Sequence, residues 1–287
     1  MPNGAGDHPA PRRRRRALVT AIAVIVVLAL VGGGVAVFTG PTGTVSSTAN
    51  GTTAPTARTL LRSALRAAAH NSFHYVASSS LSGPNGGSSR TIGDAGPDSG
   101  RQDITSGTQR FTVLVIGSAC YLKGNASALV ANLDFSTADA TTHAGQWISL
   151  TRNDGPYATV YAAVTAPAAI ADNITVVPRG QEPTTNLKGR PVQTITGTIA
   201  PVTIPGQGPT PTPKGTATLA VRAAAPHLPV LYRERGTLKH QRSSATVSFS
   251  KWGEPVHIST PAGAIPWAQI GAGSGPVSPT PSGTFLT

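Results

Sequence analysis

Apolar positions along this chain change period several times, and each period predicts an element. Leu61, Ala64, Leu65 and Ala68 fall at i, i+3, i+4 and i+7, with Arg58, Arg62 and Arg66 on the opposite face, which predicts an amphipathic helix. A second helix follows Asn125 as cap, with Ala126, Leu129, Val130 and Leu133 on its apolar face. A third starts at Asp154 with Pro156 just inside, and carries Tyr157, Val160, Tyr161 and Val164. Strand patterns are more numerous. Residues 73–77 alternate, as do 216–221 and 245–250, the last placing Ala245, Val247 and Phe249 on one side. Shorter strands are expected at 146–150, 174–177, 192–196 and 256–258. The run Val113, Leu114, Val115 and Ile116 is apolar at every position, so both its faces must be covered. Many strands with a few helices among them predict an α+β fold built on a large, mostly antiparallel sheet.

Residues 17–38 have no such period and no charge. As a helix they would measure about 33 Å, the thickness of a bilayer core. An arginine run at 12–16 precedes them, and none follows closely, which puts the N-terminus in the cytoplasm and the remainder outside it. A secretory signal peptide would have a shorter apolar stretch and a small-residue cleavage site, and none is seen after Phe38. The chain thus divides into a basic cytoplasmic N-terminus (1–16), a transmembrane helix (17–38), a flexible linker (39–56), an extracytoplasmic domain (57–270) and a disordered tail (271–287). Within the domain, 82–100 is expected to be a turn-rich loop and 201–215 a low-complexity stretch with several prolines.

Composition supports this layout. Charged residues are only 12% of the chain, aromatics 5%, and there are 32 Gly and 25 Pro, which excludes a coiled coil or helix bundle. Hydrophobic content of 39% is enough for a core, which argues against full disorder. Five of the 23 basic residues form one run at 12–16, where membrane topology explains them, and the rest are spread along the chain without a block. Nucleic acid is not expected as a partner, because interleaved aromatics are absent and the arginines of the first helix read as a solvated face.

Chemistry-bearing motifs are sparse. Gly117-Ser118 is not a nucleophile elbow. His70 and His74 are four apart but span a helix end and a strand start, with no third ligand. Asp94, Asp98 and Asp103 lack the spacing of a calcium loop. Cys120, the single cysteine, reads as a small buried residue, and it excludes both an internal disulfide and a lipid-modified cysteine just after the apolar span. Trp147 and Trp252 are expected to plug the core. No catalytic residue, metal site or cofactor is expected, and the protein is not expected to be an enzyme.

The order of segments carries a resemblance. Ser72-Phe73-His74-Tyr75-Val76 follows the first helix, and the apolar strand 111–116 closes into Gly117-Ser118-Ala119-Cys120-Tyr121-Leu122-Lys123-Gly124-Asn125. Ala144-Gly145-Gln146-Trp147-Ile148-Ser149-Leu150 comes next; near the end stand Pro226-His227-Leu228-Pro229-Val230 and Phe249-Ser250-Lys251-Trp252-Gly253. Over about 57–262 this order resembles the LppX/LprG-type lipoproteins of mycobacteria and their relatives, which share the LolA-like fold. The resemblance implies a strongly curved, half-open β-barrel with helices plugging its concave side. It also implies an apolar ligand, acyl chains or a lipidated glycan, held between sheet and helices, and an envelope transporter as partner.

On that reading the ligand meets Val113, Leu114, Val115 and Ile116 of the central strand. It also meets Leu129, Val130 and Leu133 of the second helix, and Tyr157, Val160, Tyr161 and Val164 of the third. The chain departs from the family at its anchor, a membrane helix in place of a lipidated cysteine, which suits a chaperone fixed to the membrane or a sensor. Two functions are therefore expected to compete: a membrane-anchored lipid- or glycolipid-binding protein acting in envelope lipid transport, and a structural or signalling ectodomain whose cavity is filled by its own side chains.

Overall fold

Thr56 opens the first element. Its hydroxyl accepts the Thr59 amide at 3.3 Å and so caps α1 (Ala57–Ala69). The buried stripe of α1 is Leu60, Ala64 and Ala68, while Leu61 and Leu65 pack at its margin. The face is thus turned by one residue from the expected one, and the arginines remain in solvent. The computed structural model describes residues 56–83, 86–200, 213–238 and 240–270. The predicted segments 1–16, 17–38 and 271–287, and the linker 39–56 apart from Thr56, lie outside these. Among the described residues no helix is long and apolar enough to cross a membrane.

After α1 the chain runs as a meander: β1 (Phe73–Leu81), β2 (Gly87–Ala95), β3 (Ser99–Ser106), β4 (Gln109–Ile116) and β5 (Ala119–Gly124). Helices α2 (Ala126–Leu133) and α3 (Thr137–His143) lead to β6 (Ile148–Leu150). Then come α4 (Tyr157–Val164) and α5 (Ala166–Asn173). A second group of strands follows: β7 (Val176–Gln181), β8 (Thr185–Leu187), β9 (Arg190–Ile199), β10 (Lys214–Arg222), β11 (Pro229–Leu238) and β12 (Gln241–Ser250). The short β13 (Ile265–Pro266) and α6 (Trp267–Ile270) end the described chain.

All of these strands belong to one sheet, in the order β13-β6-β5-β4-β3-β2-β1-β12-β11-β10-β9-β7, with β8 beside β9. The pairing of β1 with β12 joins the two groups. Every ladder is antiparallel except β13–β6. The expected α+β class and mostly antiparallel sheet are present; barrel closure is not, since β13 and β7 are the two ends of the order. A sheet this wide must curl, because strand twist accumulates across it.

The expected loop at 82–100 is instead strand β2 and the start of β3. Its inward positions are Ser89, Thr91, Gly93 and Ala95, all buried but too small and too polar to show an apolar alternation. The third helix begins at Tyr157, later than expected, because Asp154 is occupied in a turn, accepting from the Thr151 amide at 2.6 Å and its hydroxyl at 2.8 Å. Of the expected low-complexity stretch, 201–212 lies outside the described residues, and Lys214 and Gly215 already belong to β10.

Candidate ligand-binding face

Helices cover one face of the sheet and build two apolar clusters there. In the first, α1 and α5 pack on β1 and on β9 to β12, through Leu60, Phe73, Tyr75, Ile170, Ile195, Leu219, Tyr232 and Phe249. In the second, α2, α3 and α4 pack on β3 to β6. Six of the predicted lining residues meet in this second cluster: Val113, Val115, Leu129, Tyr157, Val160 and Val164, each between 0% and 8% exposed. Leu133 and Tyr161 sit half-buried at its rim, and Tyr161 stacks on Tyr157 at 5.7 Å. The Tyr157 hydroxyl donates to the Ser118 carbonyl at 2.9 Å, tying the start of α4 to the β4–β5 turn.

Three predicted lining residues are placed elsewhere. Leu114 and Ile116 alternate with Val113 and Val115 and so point to the outer face. Leu114 is 4% exposed, and its ladder neighbours there are Arg101 and Tyr121. Val130 is 39% exposed, and α2 buries Ala128 and Leu129 instead. The cap expected at Asn125 is present, its side chain accepting the Ala128 amide at 3.1 Å. Trp252 packs with Phe73 at 4.7 Å and donates to the Pro229 carbonyl. Trp147 is half-buried under the Lys123 ammonium at 4.7 Å, a surface cation–π pair rather than a core plug.

Between the two clusters runs a seam of small and polar side chains on β2 and β3, which the sequence reading missed. Gly93 has no room for a side chain because the Tyr75 ring lies over it, 2.3 Å from where a Cβ would stand. Tyr75 thereby spans β2, and its hydroxyl accepts from the Gln102 amide on β3. At Gly100 a Cβ would lie 2.4 Å from the Val164 carbonyl, so α4 ends directly on the sheet. The Ala166 amide then donates to the Gly96 carbonyl at 2.7 Å and fixes the α4–α5 elbow. Thr91, 3% exposed, has a hydroxyl with no hydrogen-bond partner among the described residues.

Glu234 lies at the end of this face. Its carboxylate accepts from the Tyr232 hydroxyl at 2.8 Å and the Thr175 hydroxyl at 3.4 Å. Burial raises its pKa above the ordinary glutamate value, and those two hydrogen bonds offset only part of the effect. Burial and the neighbouring carboxylate also raise Tyr232. A cavity of about 30 Å³ beside it is lined by Ser79, Leu81, Ser89, Ser106 and Ser243. Larger hollows of about 480 and 600 Å³ lie away from the helix–sheet interface. The first is at the ends of β1, β2 and β12 on the uncovered face, and the second between the start of α1 and β7. His74 pairs with Asp94 at 2.8 Å on the uncovered face. Among the described residues no group of three or more His, Cys, Asp or Glu is placed to hold a metal.

No family model matches the chain, and no curated protein is significantly similar to it. Three solved structures resemble it distantly. The lipoprotein LppX of Mycobacterium tuberculosis is 16% identical, with 70% of this chain and 96% of that one covered and a TM-score of 0.37. The MucA/MucB complex of Pseudomonas aeruginosa is 14% identical, with coverage of 76% and 61% and a TM-score of 0.31. A putative outer membrane lipoprotein-sorting protein domain from Vibrio parahaemolyticus is 8% identical, with coverage of 71% and 94% and a TM-score of 0.29. Likenesses this distant do not place the chain in any of these families.

Proposed function

We propose that this is an extracytoplasmic, membrane-anchored carrier or chaperone for acylated molecules, acting by binding rather than catalysis. The observation that supports this reading is the division of the helix-covered face. Two apolar clusters flank a seam of small side chains, and α4 meets the seam through a glycine contact rather than through interlocking side chains. Lifting α4 from Gly100 would expose Val113, Val115, Val160 and Val164 together. An acyl chain would then replace the valines of α4 as the cover of β4. Each buried methylene contributes about 0.8 kcal/mol, so ten supply roughly 8 kcal/mol. That exceeds the lower estimates, about 4 kcal/mol, for immobilising a ligand. Residues 17–38 would hold the domain at the membrane from which such chains are drawn, and an envelope transporter would supply or receive them.

A second reading has its own support. Val113, Val115 and Val164 are each 0% exposed, which suits a structural or signalling ectodomain whose interior is filled by its own side chains. Native mass spectrometry of the purified full-length protein separates the two. The carrier reading expects lipid adducts that increase on adding fatty acid and decrease in Val160→Trp, with the folded secondary structure retained. Bare protein mass in the wild type, before and after lipid addition, would leave the filled ectodomain as the better account.

A further inference from the structure

The uncovered face of the sheet carries a second, differently built surface. The register places Thr196, Thr218, Arg233, Thr246, Ser78 and Arg90 on one rung across six neighbouring strands. The adjoining rung reads Thr198, Thr216, Arg235, Ser244, Ser80 and Ser88. Every side chain on both rungs is a hydroxyl or a guanidinium. Strand alternation points all of them away from the helices, since the residues between them, such as Leu219, Tyr232 and Val247, are buried in the first apolar cluster.

Charge on this face is arranged unevenly. Off the two rungs, charges are paired: Arg101 holds Asp103 on β3 at 2.8 Å, and His74 holds Asp94 toward the other end of β1 and β2. On the two rungs there is no carboxylate. Arg90, Arg233 and Arg235 are exposed, and no ion pair engages them among the described residues. Arg233 and Arg235 stand about 7 Å apart along β11, and Arg90 lies about 14 Å away across three strand spacings. The hollow of about 480 Å³ is cut into this surface, with Arg90 on its wall among Ser78, Ser80, Ser88, Thr105 and Thr246.

We propose that these rungs bind an anionic polysaccharide. Guanidinium groups present paired donors that match carboxylate or phosphate oxygens, and three of them at these spacings would engage successive acidic groups of one extended chain. The serine and threonine hydroxyls both donate and accept, as sugar hydroxyls require. A membrane surface fits these two rungs less well, because they carry no aromatic or aliphatic side chain and the aliphatic Val76, Ile92 and Leu231 stand only on the next rung of the face, so the test below includes vesicles. Single-stranded nucleic acid fits less well for want of a stacking platform. This surface is independent of the apolar face opposite.

The test is retention of the full-length protein on immobilised polygalacturonate, on a phosphodiester-linked polysaccharide, and on neutral dextran. The triple variant Arg90→Ser, Arg233→Ser, Arg235→Ser is compared with Arg58→Ser, Arg62→Ser, Arg66→Ser, which removes equal charge from α1 and leaves 12–16 intact. The proposal expects binding to at least one anionic polymer and not to dextran, weakened tenfold or more by the sheet variant and less than twofold by the helix variant. Circular dichroism and melting confirm that both variants fold. It is overturned if neither anionic polymer binds, or if both variants lose affinity equally. It is likewise overturned if vesicles of anionic phospholipid displace the protein from the polymer through the same three arginines more effectively than free polymer does.

Discussion

Gly93 offers a direct probe of how the covered face is built. A methyl group there would stand 2.3 Å from Cε1 and 2.4 Å from Cζ of Tyr75. The ring cannot swing aside freely, since Tyr75 is 1% exposed, packs on Phe73 at 5.8 Å, and has its hydroxyl engaged by Gln102. Gly93→Ala should therefore cost about 1–3 kcal/mol in overpacking. Parting the buried Tyr75–Gln102 pair adds about 1–3 kcal/mol more. The sum, about 2–6 kcal/mol, lowers the melting temperature of a domain this size by roughly 4–24 °C. Urea unfolding followed by tryptophan fluorescence reads it well, because Trp252 lies in the same cluster. Adding Tyr75→Leu should make the alanine substitution at least about 1 kcal/mol cheaper than in the wild type, as coupling between touching side chains requires. A loss under about 0.5 kcal/mol, or strictly additive single changes, would refute the packing described for the seam.

Four further outcomes are expected. Gly100→Ala pushes against the Val164 carbonyl, so it should raise the fluorescence of an added apolar dye by loosening α4 from the sheet; unchanged dye binding with unchanged stability would count against that contact. Leu129→Ala should cost about 2–5 kcal/mol and Val130→Ala less than about 0.5 kcal/mol, since only the former is buried; equal costs in urea unfolding would contradict the orientation of α2. Glu234 has a raised pKa in the fold, so its folded form binds more protons than the unfolded chain, and its contribution to stability is full below the ordinary glutamate value and declines as pH rises through the folded value. The urea midpoint of the wild type should accordingly fall relative to Glu234→Gln as pH rises from 4 to 8, and parallel profiles would contradict it. Burial pushes the Cys120 thiol up to about 12, so iodoacetamide at pH 8 should label it only after unfolding; prompt labelling of the folded protein would show the second cluster to be open.

Where the sequence is readable, the reason is local. Asn125 caps α2 as its residue type demands, and the alternation of Ala245, Val247 and Phe249 gives the inward face of β12 directly. Six of the eleven residues expected to line a ligand do come together in one cluster, because Val113, Val115, Leu129, Tyr157, Val160 and Val164 are apolar positions that must be covered by something. Strand β2 is hard to read because its inner face carries Ser89, Thr91 and Gly93, small residues that resemble a loop, the last of them making room for the Tyr75 ring. Leu114 reads as covered by the helices because apolarity does not reveal which face of a strand a buried residue occupies. Val130 failed for a related reason: a short helix with apolar residues on several sides shows no unique face. The seam itself is a property of register between β1, β2 and β3, which no single segment encodes.

The proposed place of an acyl chain is between α4 and the sheet. Photo-cross-linking with a fatty acid carrying a diazirine along its chain tests it most directly, using the full-length protein and peptide mapping of the labelled sites. The account predicts labels on the inward residues of β4, at Phe111, Val113 and Val115, and on α4 at Val160 and Val164. It also predicts that excess unlabelled fatty acid suppresses them. Labels confined to 17–38, or no labelling of the domain above that of a protein without apolar ligands, would contradict it.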